Sequence, residues 1–226
     1  MKEPMKKNIR IFSILITIAV PLLLLMASIR MLLNPFYLDY EYNLNSFPPD
    51  EFGFSQADRL HWGKLSLQYL TNNAGPEFLA DLQFEDGQPI YNERELSHML
   101  DVKNLVQLMI KILIFVAAFL GISWILAWRI GWQSQFWKAV SLGGWITLGL
   151  IGLVLLGVVL DFDALFVGFH HLFFTGETWL FYVDDTLIRL FPEKLWSDAF
   201  TFMGVFTLVG AVVCTFLGAR LAQKHQ

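Results

Sequence analysis

The stretch LVQLMIKILIFVAAFLGISWILAW, residues 105–128, decides the class of this protein. It exceeds the roughly 20 residues that a helix needs to cross the hydrocarbon core of a bilayer, and its one charge is Lys111. Residues 9–33 (interrupted by Pro21), 140–160 and 199–217 have the same character. Together they predict an all-α membrane protein with four transmembrane helices, a single integral membrane domain over residues 1–226. The bulk composition agrees: 55% of residues are hydrophobic, mean hydropathy is +0.51, and 16% are charged. A soluble domain carries about a quarter charged residues.

The first apolar run follows a basic start of Lys2, Lys6, Lys7 and Arg10, which also suits a secretory signal. The run is longer than the usual core of such a signal, and no small-x-small cleavage site precedes the polar loop, so a retained helix is expected. The chain has one cysteine, Cys214, inside the fourth run. That excludes an intrachain disulfide and a cysteine-based zinc cluster, and a thiol in apolar surroundings is inert.

Orientation follows from lysine and arginine in the short loops. The N-terminal tail, the link between spans two and three (Arg129, Lys138) and the C-terminal tail (Arg220, Lys224) are basic, which puts them in the cytoplasm. Segments 34–104 and 161–198 then lie outside. They hold every acidic residue except Glu3, and four of the five histidines: His61, His98, His170 and His171. Polar chemistry is therefore expected on the extracytoplasmic face.

The long outer loop, 34–104, opens on NPFYLDYEYNLNSFPP, which reads as extended, aromatic and Pro-rich. SQADRLHWGKLSLQYLTNN reads as a helix capped by Ser55 with Asp58 at the capping-box position, and His61 rides on it beside Trp62. In YNERELSHMLDVKNL, Asn92 caps a helix with Glu95 at its third position, and nothing breaks that helix before Trp128. Glu95, His98 and Asp101 follow each other at i, i+3 and i+6, so each neighbours the next on the helix surface. This is either a histidine base with carboxylate helpers or a solvated ion-pair face shared with Arg94 and Lys103.

Segment 161–198 holds seven Phe, two Trp and one Tyr, the density of a membrane–water boundary. Phe162, Leu165, Phe166, Phe169, Leu172 and Phe173 recur at helical spacing, with Asp163 as candidate N-cap and Gly176 as stop. The expectation is an aromatic interfacial or re-entrant segment, with DDTLIRLF as a second short helix ended by Pro192. His170 and His171 are adjacent, hence 100° apart on a helix, so only one can face a given site. Asp185 and Arg189 at i, i+4 form either a surface pair or a place where Arg189 meets a lipid phosphate or a developing negative charge. Ionisable groups near the headgroup plane are costly and point to function. No pattern for a nucleotide, flavin, haem or zinc protease is present: E-x-x-H-x-x-D is not the zinc-binding H-E-x-x-H.

ELSHMLDVK (residues 95–103), FHHLFFTGETWLF and DTLIRLFPEKLW together resemble the lipoprotein intramolecular transacylase family, Lit. Four spans, a long first outer loop and total length agree, so the resemblance covers nearly the whole chain. It implies a bacterial plasma-membrane enzyme, mainly of Gram-positive organisms, acting on diacylated lipoproteins that begin with S-diacylglyceryl-cysteine. The implied reaction moves the sn-2 acyl chain to the α-amine of that cysteine and yields lyso-form lipoprotein. Membrane lipid and lipoprotein are the implied partners, with no nucleic acid, cofactor or metal. An amine attacking an ester within one molecule needs positioning and proton transfer but no covalent nucleophile. His170 is then the expected acid/base and His98 the second member. Glu95 or Asp101 would hold His98 or the incoming ammonium, Asp185 and Arg189 would be supporting residues, and His171 would replace His170 if the helix faced the other way. The alternatives are a metal-dependent membrane hydrolase using the same histidines and a non-enzymatic membrane assembly factor.

Overall fold

The computed structural model describes residues 3–225, with side chains from residue 8 onward. Of the basic start, Lys2 lies outside the described residues, as do the side chains of Glu3, Lys6 and Lys7. The described residues form helices α1 (Glu3–Leu32), α2 (Pro35–Tyr42), α3 (Gln56–Thr71), α4 (Glu77–Ala80), α5 (Glu93–Ile130), α6 (Gln133–Leu160), α7 (Phe162–Phe173), α8 (Thr186–Leu190) and α9 (Glu193–Lys224). Four of them are long and apolar enough to cross a membrane, within Asn8–Leu32, Glu93–Ile130, Gln133–Leu160 and Glu193–Lys224. This is a multi-pass integral membrane protein. α1 runs unbroken through Pro21. α5 begins after Asn92 and has 38 residues, about 57 Å at 1.5 Å per residue, well beyond a bilayer core of about 30 Å.

By contacts the chain forms two compact units. One comprises the residues up to Ile29, Ile110–Gly157, and those from Thr201 on. Its core gathers Ile16 and Val20 of α1, Ala127 of α5, and Trp132, Phe136, Ala139 and Val140 in and before α6. Lipid tails are as apolar as these side chains, so close packing and interhelical hydrogen bonds hold such a unit together. Ser28 and Thr207 share a hydrogen bond of 2.9 Å, Ser134 donates to the Ala222 carbonyl at 2.9 Å, and Ser141 to the Thr215 carbonyl at 2.8 Å. Gly143 and Gly144 permit the approach of neighbouring helices. A Cβ on Gly143 would stand 2.7 Å from the Val20 Cβ, and one on Gly144 would stand 2.4 Å from the Thr215 hydroxyl. Large apolar side chains such as Phe115 and Leu153 are exposed, as lipid-facing residues are.

The other unit comprises Arg30–Met109 and Val158–Phe200 and carries every candidate site residue. Its start corrects the sequence reading: the stretch taken as extended contains α2. Asn34 accepts from the Phe36 N–H at 3.0 Å and Pro35 occupies the first helical position, where its missing N–H costs nothing. α3 has the expected Ser55–Asp58 capping box, and α5 has its counterpart. There the Glu95 N–H donates to Asn92 Oδ1 at 3.0 Å and the Asn92 N–H to Glu95 Oε2 at 2.8 Å. α7 is capped by Asp161, not Asp163: the Asp161 carboxylate accepts from the Ala164 N–H at 2.9 Å. Asp163 already stands inside the first turn.

The core of this unit includes Tyr37, Leu38, Tyr69, Leu79, Ile90, Tyr91, Leu187 and Leu190, all buried. Polar anchors join segments far apart in sequence. Tyr37 donates to the Leu195 carbonyl at 3.0 Å, Tyr42 donates to the Leu190 carbonyl, and Arg59 Nε donates to the Arg189 carbonyl at 2.9 Å. Lys103 donates to Asn72 Oδ1 at 3.0 Å and to the Ala74 carbonyl, closing the end of α3.

Candidate active site

Two elements of this unit meet around the histidines. His98 stands on the second turn of α5 and His170 near the end of α7, and both are buried. Their rings stack with centroids 6.2 Å apart and planes 24° apart. Phe174 lies beside the pair within reach of both, 5.1 Å from His98 and 5.6 Å from His170. Phe181 meets His98 edge-on at 5.3 Å, Phe166 lies 4.2 Å from His170, and Trp179 lies 4.9 Å from His170. The result is an imidazole pair inside an aromatic cage.

α7 ends at Phe173, and a turn over residues 176–179 follows. Gly176 has φ +73°, a left-handed conformation that glycine adopts without steric cost. The turn carries Trp179 back onto the helix it has just left, where it touches both His170 and His171.

His170 has a defined tautomer. Its Nδ1 lies 2.8 Å from the Phe166 carbonyl. A carbonyl can only accept, so Nδ1 carries the proton and Nε2 of the neutral ring is left basic. Burial pushes the His170 pKa below its ordinary value; the Phe166 hydrogen bond opposes this, and the neighbouring charge of His171 adds to it. His171 points elsewhere. It is exposed and meets Trp179 at right angles. His98 keeps Nδ1 buried with no hydrogen-bond partner.

The other sequence candidates are placed as follows. Glu95 is 1% exposed, and besides Asn92 it accepts from the Leu187 N–H at 2.7 Å. Its carboxylate therefore ties α8 to the start of α5 and holds backbone instead of an imidazole. Asp101 is exposed. Asp185 and Arg189 do not pair with each other, which corrects that alternative of the sequence reading. Asp185 binds Arg94 at 2.6 Å, accepts from Asn92 Nδ2 at 2.8 Å and from the Tyr182 N–H at 2.8 Å. Arg189 binds Asp50 at 3.0 Å, and its guanidinium lies 3.4 Å over the Phe54 ring. The two side chains are at i, i+4, but each pairs instead with a group from the long loop. His61 remains exposed on α3 against Trp62.

Sequence reasoning did not single out Trp179, Phe181 or Arg94. The signal available was aromatic density, which marks a boundary region without telling cage residues from lipid-facing ones. Arg94 read as a surface charge, yet it clamps Asp185 and lies 4.8 Å over the Tyr182 ring. Among the described residues, no group of three or more His, Cys, Asp or Glu side chains is placed to hold a metal ion.

The chain matches the family described as lipoprotein intramolecular transacylase Lit over residues 14–196. It is 25% identical over 211 residues to an uncharacterized protein of Aquifex aeolicus, covering 92% of this chain and 94% of that one. Its fold is shared with the membrane-integral lipoprotein intramolecular transacylase Lit from Bacillus cereus, at a TM-score of 0.82 with 19% identity, covering 97% of this chain and 98% of that one. A form of that protein with one histidine replaced by alanine superposes at a TM-score of 0.74, with 19% identity over 97% and 96% of the two chains. The chain thus belongs to the lipoprotein intramolecular transacylase family and is a membrane-integral acyltransferase acting on lipoproteins.

Proposed function

We propose that this protein moves the sn-2 acyl chain of a lipoprotein's S-diacylglyceryl-cysteine onto the α-amine of the same cysteine, by histidine acid/base catalysis without an acyl-enzyme. The observation that carries this reading is the stacked pair of His98 and His170, with His170 Nδ1 tied to the Phe166 carbonyl. The substrate's α-amine has a pKa near 8, so near neutral pH most of it is protonated and must lose a proton before it can attack. After the ammonium gives up one proton to solvent, His170 Nε2 takes a second from the neutral amine as the C–N bond forms. It returns one to the glycerol oxygen as the C–O bond breaks. A neutral imidazole at rest suits that first step.

His98 is the second member of the pair, orienting the ester or sharing the proton transfer. Phe174, Phe181 and Trp179 surround the pair and exclude water, which would otherwise hydrolyse the ester. Glu95, Asp185 and Arg189 support it from outside by fixing the segments that carry it, and His171 takes no direct part. Asp101 is a further acidic group available to steer the incoming ammonium. Donor and acceptor belong to one molecule, so the main task is holding them in reactive geometry, a contribution worth up to about 7–11 kcal/mol of barrier.

The acidic and histidine-bearing segments 34–104 and 161–198 support an extracytoplasmic site, with both termini in the cytoplasm. The test is mass spectrometry of the N-terminal peptide of a diacylated lipoprotein after incubation with the purified protein. Intramolecular transfer leaves the mass unchanged and moves one acyl group to nitrogen. A gain of one acyl mass would mean an external lipid donor and would overturn the reading.

A further inference from the structure

The cage around the histidines contains a donor that nothing in the protein satisfies. Trp179 is 91% buried, since 9% of its surface remains exposed, and its indole Nε1 is shielded from solvent with no hydrogen-bond partner. An indole N–H can only donate, so unlike the orphaned His98 Nδ1 its requirement does not depend on a tautomer. Leaving such a donor buried and unpaired is costly, and native structures rarely do so without a reason. The preceding residue repeats the pattern: Thr178 Oγ1 is also buried without a partner.

The position of this donor limits what it serves. The Trp179 ring lies 4.9 Å from the His170 ring, and the turn that begins at Gly176 holds it there. The Leu180 N–H closes that turn on the Glu177 carbonyl at 3.1 Å. Asp185, bound by Arg94 and Asn92, tethers the other end of the segment. Cation recognition through this N–H is excluded, because it would face another positive end. What it suits is an oxygen that gains negative charge beside the proton-transferring imidazole.

We propose that the Trp179 indole N–H is a catalytic group of this site, donating to the carbonyl oxygen of the scissile ester as that oxygen becomes an oxyanion. The assignment rests on the transacylation reading above. In that step the amine nitrogen bonds to the ester carbon, the carbonyl π pair moves onto oxygen, and the amine proton passes to His170. The oxyanion then collapses, the carbon–glycerol oxygen bond breaks, and the proton returns to that oxygen. No other reactant is needed. A donor already in place costs no reorganisation when the charge appears, which is how oxyanion holes act.

The experiment uses the full chain in lipid nanodiscs with a synthetic S-diacylglyceryl-cysteine lipopeptide. Trp179 is replaced by 3-benzothienylalanine, which keeps the two-ring shape and exchanges the N–H for sulfur, and separately by Phe. Loss of the donor should lower kcat by about 10²–10³-fold, with KM and Tm close to wild type for the benzothienyl variant. Affinity for a phosphonate analogue of the tetrahedral oxyanion should fall in parallel, which a packing role would not produce. A benzothienyl variant turning over at the wild-type rate overturns the proposal, including when Trp179→Phe is slow, because the ring alone would then matter. Wild-type protein that forms no N-acyl product would instead bring down the transacylation reading, and the assignment with it. The ratio of variant to wild type and the wild-type rate therefore test the two ideas separately.

Discussion

The imidazoles of His98 and His170 lie ring to ring, with centroids 6.2 Å apart, while His171, the next residue along α7, is exposed. A direct consequence is an unequal response to alanine. His170→Ala should lower the rate of N-acyl product formation by about 10²–10⁴-fold, the range for loss of a positioned acid/base. His98→Ala should cost about 10²–10³-fold if it assists charge or proton transfer. His171→Ala should stay near the wild-type rate. Equal losses at His170 and His171 would contradict the geometry.

Proton inventory gives a second expectation. Burial holds the His170 pKa below its ordinary value, and the neutral ring is the form that can accept the amine proton. At saturating substrate kcat should fall about tenfold per pH unit below the amine's pKa near 8, as the attacking nitrogen becomes protonated. Protonation of His170 should add a second limb only below about 6.5, the usual histidine midpoint. A second limb already present above about 6.5 would argue against His170 as the base.

Stability should depend on an ion pair away from the histidines. The Asp50 side chain is 2% exposed and meets Arg189 at 3.0 Å. Burial raises the Asp50 carboxyl, but the hydrogen bonds from Arg189 and from the Phe54 and Phe52 N–H groups outweigh it and hold the pKa below its ordinary value. For a depressed carboxylate the stabilisation is complete above the unfolded pKa, about 3.9, and is lost as pH falls below it through the folded value. Asp50→Ala leaves Arg189 buried without its partner and should cost about 3–5 kcal/mol. Thermal unfolding in detergent, with and without the substitution, measures it.

Asp185 offers a subtler test. It ties the segment after α7 to the start of α5 through Arg94, Asn92 and the Tyr182 N–H. The Arg94 side chain is 37% exposed, so the pair itself contributes little, about 1 kcal/mol or less. Its removal should nonetheless loosen the segment that carries Trp179 and Phe181. Since displacement of a positioned group by about 1 Å can cost 10²-fold, Asp185→Ala should slow turnover by about 10–100-fold with a small change in Tm. Unchanged kcat would show that the turn positions these rings unaided.

Proton transfer by histidine also predicts indifference to chelators. Protein treated with EDTA and dialysed should form N-acyl product at the untreated rate. Activity that is lost on treatment and restored by one first-row metal would favour the metal-hydrolase alternative.

Much of this molecule was legible in one dimension because the deciding interactions are local. The four spanning helices follow from apolar runs that only an intrahelical hydrogen-bond ladder can carry through lipid. The Ser55–Asp58 and Asn92–Glu95 boxes join residues three apart, so the helix starts they define could be read directly. The extended reading of α2 failed because its aromatics and prolines outweighed a local signal, Asn34 followed by Pro35, that was equally available.

What the sequence by itself determined, then, is the membrane class, the starts of α3 and α5 and the rule that only one of two adjacent histidines can face a site. The tertiary structure adds that the His170 ring stacks on His98 while His171 stays exposed, and that Glu95 holds backbone instead of imidazole. It also decided that Asp185 and Arg189 bind Arg94 and Asp50 instead of each other, and that Trp179 Nε1 is enclosed without an acceptor. The physical reason is the same in each case. Ring stacking, buried ion pairing and the isolation of a donor from water depend on groups brought close by chain closure, and their partners lie tens of residues away.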